Sequence, residues 1–356
     1  MERTRRFLEE LGLPGRDLDE LPSSPKRFPD GAQYRIEIPS VEGPRVMEAV
    51  LEEAERLGVV VHRVSQGSGV LLLTAAEVRE MARLGMKTLV LMSVAHQGKA
   101  LYPSEVIEER WPLRCPDPLE AVLSAADAER AQVFVGLGFF EADTGRFHGR
   151  DPRALRYEDE VPVELWRRYG HHPSFAGWYL PVEAPITGHF PDAYLDYARE
   201  LGRRVRSIAP GKPVLIAPYG TRTVIPDDRF VEQLRRLEVD YVAYQDEVGV
   251  RKTRVEELED IWARLRRAHD RAGLPLWADV EIFDFEGDVY RSPLVPAPME
   301  RIARQLAVAG RYAERILVYQ YLGLMNPPAS GAFAGHPDSV TLYRAYQAWR
   351  KGGPGA

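Results

Sequence analysis

Glu183 and Glu281 are the residues of this 356-residue chain whose type and setting best suit chemistry. Glu183 follows Phe175-Ala176-Gly177-Trp178-Tyr179-Leu180-Pro181-Val182, a run apolar enough to be a buried strand, and Glu281 closes Leu276-Trp277-Ala278-Asp279-Val280 in the same manner. A carboxylate ending a buried parallel strand emerges at the sheet's C-terminal edge, which is where parallel barrels keep their reactive groups. Two opposed carboxylates are what hydrolysis of a glycosidic bond requires. One is protonated and donates to the leaving oxygen, and the other is ionised and attacks the anomeric carbon or activates water. A strand-end glutamate has a plainer reading too, as a solvated loop residue or the ion-pair partner of an arginine.

The other strand ends are polar, with aromatics between them. Gln245-Asp246-Glu247 could bind sugar hydroxyls or hold one of the carboxylates, or could be a helix-entry loop whose acids favour the following N-terminus. Trp178, Tyr179, Trp277 and Tyr219 offer flat faces for sugar stacking, although aromatics on barrel strands more often belong to the core. Gln320 closes the last apolar run, while His96 and, in the same loop, Tyr102 follow an earlier one. Together these residues form the expected substrate-binding set. His171-His172 precedes a strand and belongs to the opposite face, so it is not read as a metal site. Gly67-Ser68-Gly69 and Gly136-Leu137-Gly138 lack a phosphate-loop lysine or a dinucleotide fingerprint. Cys115, the only cysteine, permits neither an intramolecular disulfide nor a cysteine zinc cage. No cofactor and no metal is expected.

These residues need elements to position them. Short apolar runs at Tyr34–Pro39, Val59–Val64, Thr88–Val94, Gln132–Leu137, Phe175–Pro181, Pro213–Pro218, Tyr241–Gln245, Pro275–Val280 and Ile316–Tyr321 alternate with amphipathic helical stretches. The helical stretches are Pro44–Leu57, Ala75–Leu84, Pro118–Ala128, Pro162–Tyr169, Ala193–Ile208, Arg229–Leu237, Val255–Ala272, Pro298–Ala309 and Ser339–Trp349. Alternation of this kind means parallel strands joined by crossover helices. Nine strands are one more than a (β/α)8 TIM barrel needs. With Val59–Val64 as the first barrel strand, residues 1–58 form an arm and an extra N-terminal βα unit, and 59–350 form the barrel. The reverse choice, with Tyr34–Pro39 inside the barrel, remains open. On this count Glu183 and Glu281 end the fourth and seventh strands, which can face each other across the mouth.

Lys+Arg 47 against Asp+Glu 53 gives a net charge of −6, which argues against a broad nucleic-acid surface. The basic start lacks the apolar stretch of a signal peptide, and no run approaches the ~18 apolar residues of a membrane span. A cytoplasmic, non-membrane protein acting on a carbohydrate small molecule or oligosaccharide is the expectation. The oligomeric state is not legible.

From about Met86 to Gln347 the chain resembles the DUF4434 glycosidase-like barrels. The resemblance rests on Thr88-Leu89-Val90-Leu91 with Tyr102-Pro103-Ser104, Phe134-Val135-Gly136-Leu137-Gly138, Gly177-Trp178-Tyr179-Leu180-Pro181-Val182-Glu183, Pro210-Gly211-Lys212-Pro213-Val214-Leu215-Ile216, Tyr244-Gln245-Asp246-Glu247-Val248-Gly249 and Leu276-Trp277-Ala278-Asp279-Val280-Glu281. It implies a glycosidase-type TIM barrel with Glu183, Asp246 and Glu281 in the pocket. The earlier stretch, with Tyr34-Arg35-Ile36-Glu37-Ile38-Pro39 and His62-Arg63-Val64-Ser65-Gln66-Gly67, instead resembles the opening units of collagenase-like (U32-type) peptidase barrels. Carboxylates on the fourth and seventh strands are also similar to the pattern of the retaining barrel glycosidases. That likeness implies Glu183 as acid/base and Glu281 as nucleophile. It departs at Val182, where those enzymes carry an asparagine that binds the sugar's 2-hydroxyl.

Two other readings stand beside a retaining glycosidase. One is a sugar isomerase, epimerase or lyase using Glu183, Asp246 and Glu281 as oxygen ligands for Mg²⁺ or Mn²⁺. The other is a non-catalytic carbohydrate-binding or regulatory barrel, in which the glutamates pair with arginines and no open pocket exists.

Overall fold

The computed structural model describes residues 75–352, apart from 97, 112, 114, 139, 141–151, 184, 329 and 331–334. The expected strands at Tyr34–Pro39 and Val59–Val64, and the 1–58 boundary drawn from them, lie outside the described residues.

Seven parallel strands follow one another in chain order across a single sheet. They are β1 (Thr88–Leu91), β2 (Gln132–Gly136), β3 (Phe175–Tyr179), β4 (Val214–Ile216), β5 (Tyr241–Gln245), β6 (Leu276–Glu281) and β7 (Arg315–Tyr319). Each overlaps an apolar run of the sequence; most are shorter than the run, while β6 extends past Val280 to Glu281 and β7 begins one residue earlier, at Arg315. Among the described residues the helices between and around them are α1 (Ala75–Arg83), α2 (Pro118–Glu129), α3 (Pro152–Tyr169), α4 (Asp192–Ile208), α5 (Asp228–Arg236), α6 (Leu258–Ala272), α7 (Met299–Ala309) and α8 (Ser339–Gly352). The chain is a TIM barrel, with this sheet nearly closed on itself. Arg315 at the start of β7 donates a hydrogen bond to the Thr88 hydroxyl at the start of β1, so the two edges of the seven-stranded sheet meet through side chains.

Local chemistry sets the boundaries. Asp117 caps α2 by accepting the Glu120 N–H at 3.1 Å, and Asp227 caps α5 by accepting that of Phe230 at 2.9 Å. Helix α3 begins ten residues before the Pro162 that the sequence offers as a start signal. Tyr157, Val161, Leu165 and Tyr169, all buried, form an i, i+4 stripe through that proline, and the packing of this stripe outweighs the lost backbone hydrogen bond.

The sheet carries apolar residues on both faces, as a barrel wrapped by helices must. Its outer face packs Val133, Val135, Phe175, Trp178, Val214, Ile216, Val242, Tyr244, Leu276, Ala278 and Val280 against the helices. Its inner face is a separate cluster of Phe134, Tyr179, Leu215, Ala217, Ala243 and Trp277, with Val90 and Leu317 completing the contribution of all seven strands. At the start of β3 the register slips between Val133 and Phe134. Among the described residues no helix is long and apolar enough to cross a membrane.

Candidate active site

The lower part of the barrel interior is an aromatic plug. Tyr241 stacks on Trp277 with ring centroids 4.2 Å apart, and Phe134 meets Trp277 edge-on at 5.8 Å. Strand periodicity then places the acids. Leu276, Ala278 and Val280 belong to the outer shell and Trp277 to the inner one, so Asp279 and Glu281 follow Trp277 along the same inward face. Asp279 is the register partner of Gln245 on β5 and of Leu317 on β7, and Glu281 that of Tyr319.

Three buried carboxyls lie at this level, linked through Asp279. Burial pushes Glu183 up to about 7, and the nearby Glu247 adds to the rise, while a hydrogen bond from Gln245 and the charge of Lys252 oppose it. Burial pushes Asp279 up to about 8, reinforced by Glu183 and Asp246. Its carboxyl makes no hydrogen bond with a described residue. Glu281, only 3% exposed, is likewise raised to about 8, by burial first and by Asp246 next. The Val250 N–H donates to its Oε2 at 2.8 Å and works in the opposite direction. Gly249 roofs that oxygen so closely that a Cβ there would lie 2.9 Å from Glu281 Oε2.

Two tyrosines converge on the same acids. The Tyr319 hydroxyl is raised by burial and then by Glu183, Asp279 and Glu281, so its surroundings include all three. Tyr179 is raised by burial, Glu183 and Asp279. Both remain protonated at any ordinary pH, so each hydroxyl has a proton to donate.

Several residues expected at the site do gather here. Gln245 holds Glu183 and also donates to the Ala217 carbonyl at 3.2 Å. Tyr219 lies under Lys252 Nζ, 5.2 Å from its ring centroid, and Glu183 contributes to its raised hydroxyl after burial. Glu247 accepts from the Gly220 and Thr221 N–H groups at 2.9 Å and from Lys252 Nζ at 3.2 Å, pinning the loop after β4 to the loop after β5. Its own backbone is left-handed at φ 54°.

Asp246 is engaged differently. Its Oδ2 accepts from Gln305 of α7 at 2.7 Å, and its Oδ1 from the Val248 and Glu281 N–H groups at 3.2 Å. It braces β6 from behind, with burial raising it to about 6. With both oxygens occupied in this way, Asp246 does not join Glu183 and Glu281 as a third metal-facing ligand.

Other expected residues lie elsewhere. Trp178 is fully buried on the outer face, 4.8 Å between ring centroids from Phe175 and 6.5 Å from Trp166. Trp277 is in the plug beneath the acids, its ring covered by the Arg315 guanidinium at 5.1 Å. Tyr102 is fully buried and donates to Glu164 Oε2 at 2.6 Å, which makes it a brace for α3. His96 sits in a small three-stranded sheet after β1, its carbonyl accepting from Trp111 Nε1 at 3.1 Å. Gln320 donates to the Leu322 carbonyl at 3.1 Å.

Sequence reasoning left out Asp279 and Tyr319. A period-two count back from Glu281 puts Asp279 on the same face, and Tyr319 ends its strand as Glu281 does; that alternation was the available signal. No arginine forms a salt bridge with Glu183, Asp279 or Glu281 among the described residues.

Several solved structures that resemble this chain carry glycosidase names. A putative alpha-L-fucosidase from Bacteroides thetaiotaomicron superposes with a TM-score of 0.63 at 20% identity, covering 81% of this chain and 90% of that one. A beta-D-glucuronidase from Dictyoglomus thermophilum gives 0.49 at 16% identity over 77% of this chain and 46% of that one. An endo-beta-1,4-mannanase from Thermotoga petrophila gives 0.48 at 12%, over 76% and 72%. The first likeness establishes the fold. No curated protein matches the sequence. Residues 75–332 match a domain of unknown function, DUF4434, and the chain belongs to that family.

Proposed function

We propose that this protein hydrolyses a glycosidic bond at the barrel mouth, with Glu183 as acid/base, Glu281 as nucleophile and net retention of configuration. The observation that carries this reading is the placement of Asp279 and Glu281 along the inward face of β6, Glu281 as register partner of Tyr319, with the buried Glu183 following β3 at the same end of the sheet, above an apolar plug.

Glu183, raised to about 7, holds a proton near neutral pH and can deliver it to the leaving oxygen. Glu281 attacks the anomeric carbon as a carboxylate. The hydrogen bond from Val250 favours that form, whereas burial and Asp246 raise the group to about 8, so the active enzyme is the fraction in which Glu281 has lost its proton and Glu183 has kept its own. A glycosyl ester results, and Glu183, now ionised, takes a proton from the water that cleaves it. Positive charge building on the sugar ring meets a mouth rich in carboxyls, which is electrostatic stabilisation of the transition state.

Asp279 supports a second assignment within the same chemistry. It faces the axis with no hydrogen bond to a described residue, whereas Glu281 is held and roofed, so Asp279 could take the place of Glu281 opposite Glu183. The metal-dependent reading loses its third ligand because Asp246 is committed behind β6. The purely binding reading loses the arginine pairing that it assumed.

A panel of aryl glycosides across sugar types tests the proposal, with wild type beside Glu183→Gln, Glu281→Gln and Asp279→Asn. Turnover of one sugar class that disappears in Glu183→Gln and Glu281→Gln supports it. Turnover that survives in Glu281→Gln and disappears in Asp279→Asn transfers the second role to Asp279. Turnover that survives in Glu183→Gln even for poor leaving groups overturns it.

A further inference from the structure

His172 is buried, 5% exposed, and both of its ring nitrogens are engaged. Nδ1 meets Asp127 Oδ2 at 2.7 Å and Nε2 meets Glu120 Oε2 at 3.0 Å. The exposed His171 lies alongside, with ring centroids 4.2 Å apart, and one ligand atom from each of Glu120, His171 and His172 falls within 4.8 Å of the others. These residues come from one side of α2 and from the turn between α3 and β3. That turn leads into the N-terminal end of β3, at the opposite end of the strand from Glu183.

We propose that Glu120 Oε2, His171 and His172 Nε2 form a binding site for a divalent transition metal of the Zn²⁺ type, with water as the fourth ligand. Two imidazoles and one carboxylate are a ligand set that Zn²⁺ takes, at about 2.0–2.2 Å from each donor. Tetrahedral ligands at that distance stand about 3.3 Å from one another. The 3.0 Å between His172 Nε2 and Glu120 Oε2 is close to that value, and the exposed His171, whose ligand atom lies within 4.8 Å of the other two, would close the remaining gap by a small ring movement.

The outer groups are already in position. Asp127 on Nδ1 fixes the ring so that Nε2 faces the site, the carboxylate–histidine arrangement that accompanies metal-bound imidazoles. Asp127 is itself held by the Ser174 N–H, which donates to Oδ1 at 2.7 Å. Glu120 Oε1 accepts from the Ser124 hydroxyl at 2.8 Å, leaving Oε2 for the metal. Binding replaces the proton shared by Nε2 and Oε2, so one proton leaves as the metal enters. The bound ion would clip α2 to the entry of β3, a structural role separate from the acidic mouth.

The full chain is titrated with Zn²⁺ by calorimetry and with Co²⁺ by visible absorption, and its thermal midpoint is read with and without metal. One equivalent should bind and raise the midpoint. His171→Ala, at an exposed position, and Glu120→Gln should each weaken binding by about 100-fold or more, and Asp127→Asn by about 10- to 100-fold. Asp279→Asn should leave binding unchanged. Absence of saturable binding at one equivalent overturns the proposal. So does binding that survives His171→Ala and Glu120→Gln, or that is lost in Asp279→Asn.

Discussion

Glu281 and Tyr319 end neighbouring parallel strands at the same level, as register partners in the β6–β7 ladder. The tyrosine hydroxyl is held protonated by burial and by the surrounding acids, Glu281 among them, and can donate into their cluster. Glu183 and Asp246 raise Asp279, and Asp246 and Asp279 raise Glu281, so these buried carboxyls are linked through Asp279. Such a mouth resists accumulating negative charge and favours a partner on which positive charge develops.

Activity should be bell-shaped in pH, with an acid limb from the nucleophile Glu281, raised to about 8, and an alkaline limb from the acid Glu183. Glu183, raised to about 7, carries its proton below that value and loses it above, so kcat/KM for substrates with poor leaving groups should show an alkaline limb near neutrality. Glu183→Gln should lower turnover of such substrates by about 10²- to 10⁴-fold and remove the limb, while aryl glycosides with strongly acidic leaving groups lose less. A limb that persists unchanged in the variant would assign it to another group.

Stability should fall as pH rises, because of Asp279. A carboxyl raised from its ordinary value to about 8 keeps its proton in the folded chain while the unfolded chain has already released it. The stabilisation is therefore complete below about pH 4 and is lost progressively up to about pH 8. Asp279→Asn, which cannot ionise, should be more stable than wild type by about 1–3 kcal/mol at pH 9, with the difference shrinking toward pH 4. Denaturant unfolding at several pH values measures this, and a pH-independent difference would contradict it.

Period-two alternation and parallel crossovers made seven strands legible, with Tyr241–Gln245 recovered to the residue, while Glu183, read as closing its strand, lies in the loop past Tyr179, where β3 ends. What stayed hidden depends on which way a side chain faces. Trp178 and Tyr179 are adjacent aromatics with identical appeal as sugar platforms, yet one is locked between sheet and helices and the other joins the barrel interior. The β-bulge at the start of β3 blurs the parity count that would have separated them. Asp246 looked like a pocket acid because it lies among polar neighbours after β5, but the Gln305 amide that claims it comes from a helix 59 residues away.

Gly249 should prove intolerant of a side chain. A Cβ there would stand 2.9 Å from Glu281 Oε2 and 2.7 Å from the Phe283 carbonyl, so the loop or the carboxylate must shift. Gly249→Ala should cost about 1–3 kcal/mol of stability and, by displacing Glu281, lower kcat by about 10- to 100-fold. If kcat falls less than twofold while the midpoint drops, Glu281 does not need its present position for turnover.

The adjacent pair Trp178 and Tyr179 gives the sharpest separation of support from function. Trp178 is fully buried on the outer face, and Trp178→Ala should destabilise the chain by about 3–5 kcal/mol through the cavity it leaves. Enzyme that remains folded at low temperature should keep its KM, since no part of that indole reaches the inner face. Tyr179→Phe removes one oxygen from the barrel interior beside Glu183 and Asp279. It should leave the thermal midpoint within a few degrees of wild type and lower kcat/KM by about tenfold, the equivalent of one hydrogen bond of ~1.4 kcal/mol. Steady-state kinetics and thermal melts on both variants check the two halves together, and a Trp178 variant that loses substrate affinity while keeping its stability would invert the assignment of faces.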